Sequence, residues 1–202
     1  YASVANLGMG EAATRFAAAA RGRGDDRAEA AALWTALGIV LVPTGLLASG
    51  SFFLSAEQAT RWLGLPAHLQ GEAILALRLA TLALVARCAG DVLKAAELAR
   101  LRLDLHTLIA SGTAVGQIVL VPVAVWFGGG LGSALAVVAG MAAAGALAHA
   151  IACHRLAPAA RRPRFIPALW MPLLRFGGAQ AAMTAVGAFV MHAEKLVLVR
   201  LV

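Results

Sequence analysis

KAAELARLRLDLHTLIASGTAVGQIVLVPVAVWFGGG, residues Lys94–Gly130, holds the asymmetry that decides the fold. Lys94, Arg100 and Arg102 crowd its first third, and a mainly apolar run over 105–127 without Asp, Glu, Lys or Arg follows. That run ends in the neutral triplet Gly128-Gly129-Gly130. About 20 apolar residues in a helix cross the roughly 30 Å of a bilayer's hydrocarbon core. Lys and Arg collect in the cytoplasmic loops between such helices. An apolar run with cations at one end only is therefore expected to be a membrane span of defined direction.

Outward from this stretch the same asymmetry repeats. The gap 21–32 carries Arg21, Arg23 and Arg27, with Arg15 just before it, whereas the gap 56–72 carries Arg61 alone. The gap 155–175 is crowded with Arg155, Arg161, Arg162, Arg164 and Arg175. Rich and poor gaps alternate, which places 21–32, 94–104 and 155–172 on the cytoplasmic side and 56–72 and 128–130 on the external side. The expected fold class is all-α: a polytopic transmembrane helical bundle with spans at 1–20, 33–55, 73–98, 105–127 and 131–154. A cytoplasmic linker over 156–172 and a further helix over 173–202 follow, and Pro158, Pro163, Pro167 and Pro172 mark that linker as a boundary between two bundles. Pro43 is expected to kink the second span. A start at Tyr1 and a stop at Val202 inside an apolar run read as part of a longer chain.

Composition agrees. Hydrophobic residues make up 61% and charged residues 13% of the chain, against roughly 25% charged in a soluble domain. The net charge of +7 raises nucleic acid as a partner, but aromatics at 6% are too few for a stacking platform and the arginines sit in short loops. No nucleic-acid partner is expected. Cys88 and Cys153 lie in apolar runs without metal-ligand spacing and are expected to be free buried thiols. Gly112-x-x-x-Gly116 and the stripe Ala136, Gly140, Ala144 and Ala148 are expected to let helices approach closely inside the bundle.

The opening Asn6-Leu7-Gly8-Met9-Gly10-Glu11-Ala12-Ala13-Thr14-Arg15-Phe16, followed by Arg21-Gly22-Arg23-Gly24-Asp25, resembles the end of the second helix in bacterial oligosaccharide flippases. These are the polysaccharide (lipopolysaccharide) biosynthesis proteins of the multidrug/oligosaccharidyl-lipid/polysaccharide exporter superfamily. Asn6 stands where the family more often has Asp. In order, Trp62-Leu63-Gly64-Leu65-Pro66, the stretch Asp91 to Asp104, Leu173-Leu174-Arg175-Phe176-Gly177-Gly178, and Glu194-Lys195-Leu196 through Arg200-Leu201 resemble later family segments. The resemblance covers nearly the whole chain as helices two to seven. It implies a two-bundle transporter around a central cavity that flips lipid-linked oligosaccharide across the bacterial cytoplasmic membrane by alternating access. By this reading 173–202 is the first helix of the second bundle, and the partners are lipid-linked oligosaccharide, membrane lipids and a possible coupling ion.

Charges inside spans are the candidate functional groups, since each costs roughly 2.5–3.5 kcal/mol near the bilayer centre. Arg87, Asp91 and Lys94 fall at i, i+4 and i+7, on one helical face. Two readings stand: a self-neutralising Arg87–Asp91 ion pair, or a cavity lining that meets the phosphate or acidic sugar of a substrate. Arg78 belongs to another face, nearer the external surface. Glu194 is either a cavity carboxylate with a coupling role or an interfacial charge. The substrate-path candidates are thus Arg87, Asp91, Lys94, Arg78 and Glu194. Glu11 and Arg15 are expected to pair along a helix, and Asp25-Asp26 to cap the next one. His149 and His154 point too far apart to share a metal, and His106 and His154 are expected to snorkel toward the cytoplasmic surface. No catalytic residue, metal site or cofactor is expected. Two other functions compete. A multidrug or cation antiporter would hold more acids in its spans. A membrane-embedded glycosyl or prenyl-phosphate transferase would need carboxylates and histidines converging at one depth.

Overall fold

A computed structural model of the chain describes residues 8–53 and 70–201 together with Asn6 and Gln58, with side chains for all of these except residue 70 and residues 188–201. The described residues form six helices and no sheet: α1 (Met9–Gly22), α2 (Asp26–Phe53), α3 (Gln70–Leu93), α4 (Leu103–Trp126), α5 (Leu131–Leu156) and α6 (Trp170–Leu201). A four-residue helical turn, Ala95–Leu98, continues α3, and two 3-10 turns, Pro158–Arg161 and Pro167–Leu169, join α5 to α6. Four segments are long and apolar enough to cross a membrane: Asp26–Phe53, Gly71–Leu98, Leu103–Trp126 and Leu131–Leu156. Together they suggest a multi-pass membrane protein. Most of the expected gap 56–72 lies outside the described residues.

Helix boundaries follow local chemistry. Asp25 Oδ1 accepts from the backbone N–H groups of Arg27 (3.1 Å) and Ala28 (2.9 Å), so α2 begins well before the apolar run at residue 33. Of the aspartate pair, Asp25 is the helix cap expected of it, and Asp26 is the first residue of the helix. Pro43 and Pro122 both lie inside helices, and near the first the Thr44 hydroxyl donates to the Val40 carbonyl at 2.7 Å. After the Ala95–Leu98 turn, Leu101 adopts φ 55 and the Arg102 N–H donates to the Glu97 carbonyl at 3.0 Å, which reverses the chain into α4.

The bundle is built on small residues. In lipid no hydrophobic difference separates a helix from its solvent, so helices associate through close packing. The core joins Ala12, Ala13 and Ala17 of α1 to Ala30 and Ala36 of α2 and to Ala95 and Ala96 beyond α3. A Cβ at Gly10 would come within 2.7 Å of the Asp91 backbone oxygen. Gly8, at φ 64, faces the Gly177 carbonyl, which anchors α1 to α6. Arg15 lies 4.4 Å over the ring of Phe176, and this contact with α6 takes the place of the expected pairing with Glu11. α3 packs most extensively on α5, and α4 packs mainly on α5. No residue of α4 is buried, and Leu108 and Ile118 are 70% and 72% exposed, a surface suited to hydrocarbon.

The segment after α5 is more than a spacer. Trp34 Nε1 donates to the Ala160 carbonyl at 2.8 Å, the Ile166 N–H donates to Thr35 Oγ1 at 3.2 Å, and Phe165 stands edge-on to Trp34. These contacts lay residues 157–169 back along α2 while Arg161, Arg162 and Arg164 stay exposed. Cys88 and Cys153 are free and buried, as expected.

The three basic gaps meet at one end of the bundle. The Arg100 guanidinium pairs with both carboxylate oxygens of Glu29, and the side chains are only 9% and 2% exposed. A small pocket beside the pair is also lined by Arg21, Asp26 and the Leu156–Ala159 corner. At the opposite end Glu72 approaches Gly130, and Leu75 packs on Gly132. This grouping matches the alternation of basic and neutral gaps.

Two outcomes are expected. In membranes with a right-side-out orientation, an impermeant maleimide should spare Arg23→Cys and Arg162→Cys and label Phe127→Cys, which is 85% exposed at the opposite end. Labelling of positions 23 and 127 from the same side would overturn the topology; the buried native thiols leave the background low. For the ion pair, Glu29→Ala strands a buried guanidinium and should cost about 3–5 kcal/mol. The loss would appear as a lower unfolding temperature in detergent. Glu29→Leu combined with Arg100→Met should recover most of it.

Candidate functional site

The stripe of Arg87 and Asp91 of α3, with Lys94 just beyond its end, lines an open cavity of about 350 Å³ between α3, α4 and α5. Gln117 and His106 border it from α4, and His149 borders it from α5. The cavity exists because small side chains hold the helices close on either side of it. Gly90 faces the backbone of Ala146, and Gly145 faces Thr113, while the alanines between them leave space unfilled.

Within the stripe the pairing differs from one of the two expected readings. Asp91 Oδ1 accepts from Lys94 Nζ at 2.8 Å, and its Oδ2 accepts from Asn6 Nδ2 at 3.0 Å. Both carboxylate oxygens are therefore engaged, so an Arg87–Asp91 ion pair does not form. The physical reason is the docking of α1 at Gly10, which carries Asn6 to Asp91, together with the short i, i+3 reach of Lys94. Arg87 instead extends across the cavity and its Nη2 donates to Gln117 Oε1 at 3.0 Å. A neutral amide satisfies one donor of a five-donor fork and none of its charge. The surplus positive charge of the stripe thus sits on Arg87, near the middle of the length of α4. An anionic oxygen pair entering the cavity would find a bidentate partner there.

The other two candidates do not join this group. Arg78 donates to the Phe52 carbonyl at 3.2 Å, and its guanidinium lies 5.3 Å over the Phe52 ring, away from the cavity. Glu194 lies on α6 among the residues whose side chains are outside the described set.

A second constellation adjoins the cavity. Glu97, fully buried in the Ala95–Leu98 turn, receives His149 Nδ1 at 2.8 Å on Oε1 and has His106 Nδ1 at 3.8 Å from Oε2. The two imidazole rings stack with centroids 6.0 Å apart. His106 therefore turns inward, its Nδ1 buried and facing the Glu97 carboxylate, contrary to the expectation that it snorkels, because α4 starts directly after the tight turn that holds Glu97. His154, by contrast, is exposed. Sequence reading missed Glu97 altogether, and it tested His149 only against His154. Glu97 and His106 lie on either side of one turn, but His149 is far along the chain and the three share no ligand spacing; the available signal was the nearness of each to the basic end of its helix. At that end Arg102 and Asp104 form an exposed pair at 2.9 Å, and the carboxylate's hydrogen bonds raise the guanidinium further above its ordinary pKa.

No family model, curated protein or solved structure matches the chain.

Proposed function

We propose that the protein is a membrane transporter that flips lipid-linked oligosaccharide or polysaccharide repeat units across the bacterial cytoplasmic membrane by alternating access. The single observation carrying this reading is Arg87. It lines a cavity between candidate membrane helices, and its one hydrogen-bond partner is neutral. Arg87 is exposed on the cavity side, and a cation at that depth of a membrane helix is costly unless water or an anion meets it there. The pyrophosphate of a lipid carrier, or an acidic sugar, has the oxygen geometry that a guanidinium holds bidentately. Transporters place such sites near mid-membrane, where helices diverge. In this reading α1–α5 belong to one bundle and α6 opens the second, with the segment 156–172 joining them on the cytoplasmic side.

A cation antiporter fits less well, because the acid on the cavity stripe, Asp91, has both oxygens occupied. The convergence of Glu97, His106 and His149 is what a membrane-embedded transferase would need, and it keeps that reading second. The two part on product: a transferase forms a new glycosidic or phosphate bond in a detergent extract, and a flippase only relocates its substrate.

Arg87→Ala leaves no buried charge without its counter-ion, so its abundance in the membrane should stay near wild type. Export of the sugar polymer, in cells that depend on this protein for it, should fall roughly ten- to hundredfold, the worth of one charge-assisted contact of about 1.5–3 kcal/mol. Arg87→Lys should keep part of the activity, and Arg162→Ala on the exposed surface should keep all of it. Normal export by a well-inserted Arg87→Ala protein would remove Arg87 as the substrate contact and the proposal with it.

A further inference from the structure

We propose that Glu97, His106 and His149 form a binding site for one divalent first-row transition-metal ion, with Zn²⁺ the best match to its donors. Each residue offers one ligand atom, and these atoms lie within 4.8 Å of one another. Tetrahedral zinc with bonds of about 2.0–2.2 Å holds its ligands a little over 3 Å apart, so rotamer adjustments of roughly an ångström would close the site. Two imidazoles and a carboxylate are a recurrent three-residue zinc set that leaves a fourth position for water or another ligand. Calcium and magnesium are disfavoured, because they take oxygen donors and two of the three here are nitrogen.

Two features of the site call for a cation. The first is the pair of unsatisfied atoms. Glu97 Oε2 and His106 Nδ1 are both buried without a hydrogen-bond partner, yet face each other at 3.8 Å. That separation is too long for a hydrogen bond and close to the spacing of two ligands on one metal. Leaving such atoms unpaired costs free energy in an interior where water cannot reach them. The second is charge. Glu97 is fully buried, and its only side-chain hydrogen bond is to one His149 nitrogen. The nearest arginine along the chain, Arg100, is committed to Glu29. A dication would neutralise the carboxylate and satisfy both orphaned atoms at once.

The site ties together three elements: the turn after α3, the first turn of α4, and α5. Because His106 and His149 also border the cavity, an ion there would add positive charge near the stripe that holds Arg87. The site does not depend on the flippase reading, and its test uses no transport measurement.

The full protein, purified in detergent and stripped with a chelator, is titrated with Co²⁺, and then with Zn²⁺ in competition. The expected result is one ion per chain by elemental analysis, with a visible Co²⁺ d–d band that Zn²⁺ abolishes. A rise in unfolding temperature should accompany binding. His106→Gln and His149→Gln should each weaken binding at least tenfold and remove the temperature rise. His106, being only partly buried, is the variant chosen to retain the fold, with monodispersity and the metal-free unfolding temperature as controls. His154→Gln, at an exposed histidine outside the cluster, should bind as wild type does. Failure of the stripped protein to take up Co²⁺ would overturn the site. Undiminished binding by the folded His106→Gln and His149→Gln variants would overturn it equally, placing the ion elsewhere.

Discussion

The approach of α1 to α3 at Gly10 sets the polar arrangement of the molecule. A side chain at that position would drive a Cβ to 2.7 Å from the Asp91 carbonyl oxygen, so only glycine permits the contact. With the backbones that close, Asn6 reaches one oxygen of Asp91, and Lys94 takes the other. Arg87 is then left to seek a partner across the cavity, where it finds an amide instead of a carboxylate. One small residue in α1 therefore decides which charge in α3 stays uncompensated. Gly8 adds to this by fitting against the Gly177 carbonyl, which brings α6 to the same corner.

Charged groups in this bundle fall into two energetic classes. Glu29 and Arg100 neutralise each other in a bidentate contact that joins the start of α2 to the chain beyond α3, so their burial is compensated. Glu97 is as deeply buried but meets only imidazoles, one of them beyond hydrogen-bonding distance. Arg87 is accessible from the cavity and meets no acid. Compensated pairs belong to the framework, while the under-compensated groups gather around or beside one cavity between α3, α4 and α5. That separation motivates both the anion contact at Arg87 and the metal site beside it.

Much of the fold was legible along the chain. Hydropathy located the long helices, and Asp25 announced the start of α2 through its side-chain oxygen. The alternation of basic gaps agrees with the ends at which those gaps gather: Glu29, Arg100 and the Leu156–Ala159 corner at one end, Glu72 and Gly130 at the other. The helical period placed Arg87, Asp91 and Lys94 on one face, and that face does line the cavity. Less was legible where the chain leaves regular structure. The stretch 156–172 reads as a Pro- and Arg-rich linker, yet Ala157 and Ala160 are buried and Phe165 is packed on Trp34, because α2 presents an aromatic and a hydroxyl where that stretch passes.

By itself the sequence determined the all-α class, the position of the four long apolar helices, and which charges share a helical face, although it also read a span over 1–20 where the described residues form only the 14-residue α1. These properties depend on composition and on neighbours within about four residues, the reach of helical periodicity and capping. Tertiary structure alone decided the partner of each charge. Arg87 went to Gln117 and not to Asp91, Arg15 to Phe176 and not to Glu11, and Glu97 to His149 on another helix. The reason is the distance dependence of polar interactions in a medium of low dielectric constant. There a partner at hydrogen-bonding distance outweighs one a few ångströms further away, and only the packing of the helices sets those distances.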